Sequence, residues 1–274
     1  ETGLRTRLSS QRAAQNLGMD VVVLDVGSES WKLEFSDGKI MNGASAEHIK
    51  EAAGVMGAYF DFLAIRAFAS LQDRDLDYAE PVLTSFMKHA GVPIINMESS
   101  TGHPLQAFAD LITIDEFKKT ERPKVVLSWA PHPRALPHAV ANSFAQWMNR
   151  APVDLIITHP EGYELDPKFV GSARVETNQF LAFEGADFIY AKNWSSYNHY
   201  GQVLHQDFAW MINQGKMDLT NQAYFMHCLP VRRNMIVSDQ IIDSPKSLVI
   251  QQAANRVVSM QTVLSMLLEQ KGSK

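Results

Sequence analysis

Cysteine is almost missing from this chain: Cys228 stands alone among 274 residues. A single thiol excludes an internal disulfide framework and points to a reducing cytoplasm. No apolar run approaches the length of a membrane helix, and no signal peptide is visible. Basic charge is not in excess. Lys and Arg number 25 against 30 Asp and Glu, for a net charge of −5, which argues against a nucleic-acid surface. No Gly-x-Gly-x-x-Gly follows a strand, and no Walker pattern occurs. The histidine-rich spots, His132 with His138 and His199 with His205, have no good zinc-ligand set. Repeats and low-complexity tracts are absent. What remains is an ordinary globular composition, 46% hydrophobic and 20% charged, long enough for one large or two medium domains with full cores.

Hydrophobic periodicity predicts alternating helices and strands. Helix is expected up to Leu17 with Gly18 as its stop, and strands over Met19–Asp25, Phe60–Ile65 and Val92–Asn96. Between the first two strands lies a polar excursion, Gly27–Ala46, carrying Trp31; a helix follows over Ala46–Met56. Helices are expected over Glu80–Gly91 and, with proline at its start, Pro104–Lys119. After Arg122-Pro123 the pattern restarts. Strands are predicted at Lys124–Trp129, Asp154–Thr158, Phe188–Ala191, through Gln222–Met226 into Cys228, and at Ser247–Ile250. Helices are predicted over Ala139–Asn149, from Asp166, and over about Ala253–Glu269. This is an α/β chain of two doubly wound parallel-sheet units joined near residue 120, with a ligand cleft between them.

Polar groups gather where such sheets bind ligands. Arg5, Thr6 and Arg7 sit at a helix N-terminus, where positive side chains are misplaced unless an anion binds the free amides. Arg66, Glu98 and the His103–Gln106 stretch follow strand ends, as does Lys192-Asn193-Trp194. His227-Cys228-Leu229-Pro230 forms another strand lip, with Arg232 and Arg233 beside it. A lone Cys is usually a small buried hydrophobe; here the surrounding imidazole and guanidinium groups point to an anionic substrate.

Arg5-Thr6-Arg7, Arg66, His103-Pro104-Leu105-Gln106 and His227-Cys228-Leu229-Pro230 occur in one order at element ends. The set resembles the aspartate/ornithine carbamoyltransferase family over nearly the whole chain. Trp31-Lys32-Leu33-Glu34, Met97-Glu98, Trp129 to Arg134, Tyr190 to Trp194 and Cys228 to Asn234 resemble its N-acylornithine branch. The resemblance implies a carbamoyl-phosphate-binding domain, 1–119, completed by the C-terminal helix 253–270, and an acylornithine-binding domain, 120–252. It implies a cytoplasmic homotrimer with shared sites, acting in arginine biosynthesis with no metal or organic cofactor. It also implies a helix and a strand ahead of residue 1 that this sequence does not contain, and a Ser where Gly3 stands.

The same resemblance assigns the site. Arg66, His103 and Cys228 would be catalytic. Carbamoyl phosphate would be held by Leu4, Arg5, Thr6, Arg7, Trp31, Arg66, His103, Gln106, Cys228, Leu229 and Arg256, with Trp31 arriving from a neighbouring subunit. Glu98, His132, Lys192 and Arg232 would bind the acylornithine. Lys192 would repel a free α-ammonium, which an acylated substrate lacks. Where the acetyl-specific type carries Glu in the excursion loop, this chain has Ala46, which favours a succinyl group; Glu47 adjoins it, and N-acetylornithine stays the alternative. The branch threads its later chain through a loop, here Pro131–Pro137, so a trefoil knot is expected with Arg233–Ile250 passing through. Two rival readings stay open. One is a truncated, non-catalytic anion-binding relative, and the other is a cysteine-nucleophile enzyme using Cys228 and His227.

Overall fold

A computed structural model describes residues 3–272; Glu1, Thr2, Ser273 and Lys274 lie outside the described residues. The first unit opens with α1 (Leu4–Asn16), stopped by Gly18 at φ +72°, a left-handed conformation that glycine adopts without steric cost. A short α2 (Val26–Glu29) is capped by Asp25. Strands β1 (Lys32–Glu34) and β2 (Ser45–His48) pair in parallel. His48 then caps α3 (Ile49–Tyr59) through Nδ1, which accepts the Lys50 amide at 3.2 Å. Strand β3 (Leu63–Arg66) is followed by α4 (Arg74–Tyr78) and α5 (Pro81–His89), the latter with proline at its start and Lys88 and His89 in its last turn. Strand β4 (Ile94–Glu98) pairs in parallel with β3 and leads to α6 (Pro104–Phe117).

The second unit contains one five-stranded parallel sheet. Its elements are β5 (Lys124–Trp129), α7 (Ala139–Met148), β6 (Asp154–Thr158), α8 (Pro167–Val170), β7 (Arg174–Glu176), α9 (Gln179–Phe183) and β8 (Phe188–Lys192). A 3-10 turn at Phe208–Trp210, α10 (Gln214–Met217), β9 (Tyr224–Met226) and α11 (Asp239–Ile242) follow. The strand order is β7-β6-β5-β8-β9. Order reverses between β5 and β8, so a crevice opens at their C-terminal ends. Finally α12 (Val249–Gly272) packs against α6 and α1 of the first unit. Among the described residues no helix is long and apolar enough to cross a membrane.

Strand alternation explains the two-faced core of this sheet. Val125, Leu127 and Trp129 join Leu155, Ile157, Phe188 and Tyr190 on one face. Val126, Ile156, Ile189 and Ala191 join Phe183, Phe225 and Val237 on the other. In the first unit, Ile95 and Met97 pack toward Ala13, Leu105, Met260 and Leu264. Leu63 packs instead with Ile49, Ala53 and Phe86.

Four local expectations are corrected. Met19–Asp25 belongs to no strand. Met19 and Val21 pack inward, yet the segment has no ladder partner among the described residues. The helix expected from Ala46 starts only at Ile49, because Ser45–His48 pairs with β1. Ser247–Ile250 is not a strand. Ser247 makes one bridge to Phe225, and helix begins at Val249. Arg174–Glu176, predicted as no element, pairs with β6 as an edge strand.

Candidate active site

The site begins at a bulge. The register of β3 against β4 shifts between Ile65 and Arg66, which sets Arg66 opposite Glu98. Arg66 donates from Nε at 3.0 Å and from Nη2 at 2.8 Å, both to Glu98 Oε2. Its Nη1 lies over Gly3, the residue before α1. A Cβ on residue 3 would meet that nitrogen at 2.1 Å, so this pose uses the space left by a missing side chain. Arg66 thereby points its remaining donors at the first turn of α1, whose early amides have no intrahelical acceptor.

That turn is tied down from the far end of the chain. Arg256 on α12 is buried and donates from Nη2 to Thr6 Oγ1 at 2.8 Å. Arg5 is partly buried, and Arg7 lies close enough to Asp25 for its charge to act there. Leu4 has an exposed side chain, so only its backbone amide can serve a ligand.

The loop after β4 is held by Glu80, an unpredicted participant at φ +53°. Its Oε1 accepts the Ser99 hydroxyl and the Thr101 amide, each at 2.8 Å, as well as the Thr101 hydroxyl. His103 then starts α6, with its amide donated to Ser143 at 2.7 Å. Its ring is buried, with Nε2 3.7 Å from Glu98 Oε2. Burial, followed by the charges of Arg256, Arg66 and Lys192, holds the imidazole well below its usual range. His103 is therefore neutral beside a carboxylate. One turn on, Gln106 donates Nε2 to Asp110 at 2.7 Å.

The second unit contributes from three strand ends. Lys192 closes β8, buried, with Nζ donating to the Asn193 carbonyl at 2.9 Å. Burial lowers its pKa, against the pull of Cys228 and Glu98. Its neighbours serve the fold instead: Asn193 donates to Ala130 and Trp194 to Tyr163. On the loop after β5, His132 Nε2 accepts Arg232 Nε at 3.0 Å, joining two stretches a hundred residues apart. Arg233 is not beside them. It is tied to Asp239 and Asp243 at 2.6–2.9 Å, which corrects its placement with Arg232.

His227 and Cys228 follow β9. The Nδ1 of His227 accepts the Leu229 amide at 2.9 Å, and burial holds the ring well below its usual range. Burial also pushes the Cys228 thiol up, although Lys192 pulls it down. A protonated thiol beside an imidazole already engaged by backbone is a poor nucleophile, which weighs against the cysteine-enzyme reading. Leu229 adopts φ +52°, a strained value for a branched residue, at the lip itself.

Trp31 is brought to none of these groups. It is 58% exposed, and its indole nitrogen donates to Glu47 at 2.8 Å. Glu47 is thus engaged, while Ala46 beside it is exposed. Among the described residues no cluster of His, Cys, Asp and Glu could hold a metal.

The comparisons with known proteins agree with this geometry. Residues 1–116 match the carbamoyl-P binding domain of aspartate/ornithine carbamoyltransferases, and 137–267 match the Asp/Orn binding domain. The chain belongs to the aspartate/ornithine carbamoyltransferase family. N-succinylornithine carbamoyltransferase of Bacteroides fragilis is 59% identical over 270 residues, covering 98% of this chain and 85% of that protein. N-acetylornithine carbamoyltransferase of Xanthomonas axonopodis pv. citri is 36% identical, covering 98% and 84%. Among solved carbamoyltransferase structures, N-acetyl-L-ornithine transcarbamylase with acetylcitrulline aligns at TM-score 0.92 and 36% identity, over 97% of this chain and 86% of that one. A glutamate-to-alanine mutant of that enzyme, complexed with carbamyl phosphate and N-succinyl-L-norvaline, aligns at TM-score 0.93 with the same identity and coverage.

Proposed function

We propose that this carbamoyltransferase moves the carbamoyl group of carbamoyl phosphate to the δ-amine of N-succinyl-L-ornithine, giving N-succinylcitrulline and phosphate in arginine biosynthesis. One observation carries the reading. Among the buried polar atoms without partners, five belong to side chains described at this site: Arg5 Nε, His103 Nδ1, Gln106 Oε1, His227 Nε2 and Arg256 Nε. Such atoms are costly unless a ligand satisfies them. They include two cationic donors and one amide acceptor. A phosphate takes the donors, and a carbamoyl NH2 takes the acceptor.

The chemistry follows from orientation and charge. The free amides of α1, with Arg5, Thr6, Arg7 and Arg256, cradle the phosphate. Arg66 and His103 face the carbamoyl oxygen and stabilise it as the tetrahedral intermediate forms. Gln106 holds the carbamoyl amide, and Cys228 and Leu229 bound the reacting carbon. Glu98, His132, Lys192 and Arg232 bind the acylornithine, with the neutral His132 and cationic Arg232 at its acyl end. The δ-amine attacks as the neutral base, the C–N bond forms, the C–O bond to phosphate breaks, and phosphate leaves with the electron pair and takes up the proton that the amine sheds.

Ala46 supports succinyl over acetyl. The position offers no carboxylate, and Glu47 is bonded to Trp31, so a second substrate carboxylate meets less like charge. The glutamate-to-alanine mutant complex of the acetyl enzyme, which contains a succinyl compound, fits the same logic. The exposed Trp31 supports a homotrimer in which that side chain serves a neighbour's phosphate site. The His132–Arg232 bond supports the trefoil knot, with Arg233–Ile250 passing through the Pro131–Pro137 loop. Division into 1–119 with 253–270 and 120–252, and a place in the cytoplasm, complete the proposal. A competition assay with N-acetyl- and N-succinylornithine tests it. Preference for the succinyl compound is expected, and no carbamoyl transfer to either would overturn it.

A further inference from the structure

Asp110 lies in the middle of α6 with no exposed surface. A carboxylate in a core needs partners, because desolvation penalises its charge. Here one oxygen, Oδ1, accepts Gln106 Nε2 and Gln252 Nε2, each at 2.7 Å. Gln252 stands fully buried in the first turn of α12, and its Oε1 accepts the His227 amide at 3.0 Å. One carboxylate oxygen therefore ties the helix bearing Gln106 to the lip bearing Cys228.

The direction of these bonds matters. An ionised carboxylate only accepts. Gln106 must then turn its NH2 to Asp110 and present its oxygen elsewhere. That oxygen is buried and unpartnered. A carbamoyl NH2 offers donors and needs such an acceptor. A flipped amide would set acceptor against acceptor at Asp110 and donor against donor at the carbamoyl NH2.

The geometry points to Asp110 as a positioning residue for carbamoyl transfer, its carboxylate orienting the Gln106 oxygen toward the carbamoyl NH2 and coupling that orientation through Gln252 to the His227–Cys228 backbone. The inference rests on the carbamoyl-phosphate reading above.

The charge state adds a signature. Burial pushes the Asp110 carboxyl up to about 7, against the bonds from Gln252 and Gln106, Tyr190 and the charge of Arg256. The titratable groups facing it are Arg256 from α12, Tyr190 from β8 and Cys228 after β9. Burial pushes Tyr190 and Cys228 up, so both stay neutral as Asp110 titrates. Ionised Asp110 can only accept, so orientation is strict above about 7 and relaxes as pH falls through it. Stability runs the other way. An acid whose folded pKa is raised contributes stability that falls as pH rises from its unfolded value, 3.8, and is fully lost above about 7.

The test uses the full chain, carbamoyl phosphate and N-succinylornithine, with initial rates and thermal melts across neutral pH. Asp110→Leu is expected to lower kcat/KM for carbamoyl phosphate on the order of 10- to 100-fold through misplacement of Gln106. Asp110→Asn keeps an acceptor oxygen. Like the protonated carboxyl it also carries a donor, so it should recover only part of that loss, abolish the acidic limb of the pH profile near 7, and melt no lower than wild type above it. In a Gln106→Ala background, either Asp110 substitution should cost little more, since both residues act as one unit. Wild-type kcat/KM in Asp110→Leu, an acidic limb persisting in Asp110→Asn, or multiplicative losses with Gln106→Ala would each overturn the inference. If Asp110→Leu does not fold, the Asn and Gln106→Ala combination decides. A wild-type chain without carbamoyl transfer would overturn the underlying reading instead.

Discussion

Arg66→Ala removes two charge-assisted bonds to Glu98, at 2.8 and 3.0 Å, together with the cation aimed at the start of α1. Two losses follow. The first is catalytic. A donor aimed at developing oxyanion charge is worth about 10²–10³ in kcat, or ~3–4 kcal/mol of barrier. The second is structural. Breaking a buried pair leaves a carboxylate uncompensated, at about 3–5 kcal/mol. The Arg66 side chain is 20% exposed, so water shares the cost and the lower end, about 3 kcal/mol, is expected. Partial compensation is available nearby. His103 Nε2 is 3.7 Å from the same Glu98 oxygen. Its imidazole is held down first by burial, then by Arg256 and Arg66. With Arg66 gone, the ring titrates closer to its ordinary value and pairs with Glu98 once protonated. Its folded pKa is then less depressed, so the variant gives up less stability than wild type as pH falls. Arg66→Ala should therefore lose less melting temperature in mildly acidic buffer than in alkaline buffer. Initial rates and melts at both pH values make the measurement. A kcat near wild type would refute the assignment of Arg66. A melting loss independent of pH would refute the compensation by His103.

Other perturbations test the substrate side and the fold. Ala46→Glu should shift the kcat/KM ratio from N-succinyl- toward N-acetylornithine; an unchanged ratio means this loop does not read the acyl group. Arg232→Ala should raise KM for the acylornithine roughly tenfold or more with kcat less affected, if Arg232 has the proposed role of a binding cation away from the reacting carbon; a kcat loss at unchanged KM would contradict that role. His138 donates from Nε2 to the Ser195 carbonyl and accepts the Tyr78 hydroxyl at Nδ1, each at 2.8 Å, and burial lowers its pKa from 6.5 to about 4. A histidine kept neutral in the fold loses stability as pH falls below its unfolded value. Denaturant melts should show ~3 kcal/mol lost between pH 6.5 and about 4, and His138→Gln should flatten that slope.

Much of this protein was legible in its residues alone. The strands of the second sheet read out as short apolar runs, and β5 and β6 fall where expected, because burial on both faces demands continuous hydrophobic stretches. Strand ends carry the polar groups, so Arg66, Glu98, His103, Lys192 and Cys228 could be picked out by position. Tertiary structure decided what pairs with what. Met19–Asp25 has the alternation of a strand but, among the described residues, no neighbouring strand, and Ser247–Ile250 yields to the helix that packs on α1 and α6. The excursion from Gly27 hides a two-stranded ladder whose partners lie thirteen residues apart or more. Asp110 was passed over because an acidic residue within a helix reads as solvated charge, and only the arrival of Gln252 from α12 makes it a buried hub. Arg232 and Arg233 are adjacent and chemically identical. The fold sends one to His132 and the other to Asp239 and Asp243. Local sequence sets which residues can form elements and carry charge; the direction a side chain faces depends on partners distant in the chain, and these exist only once it has folded.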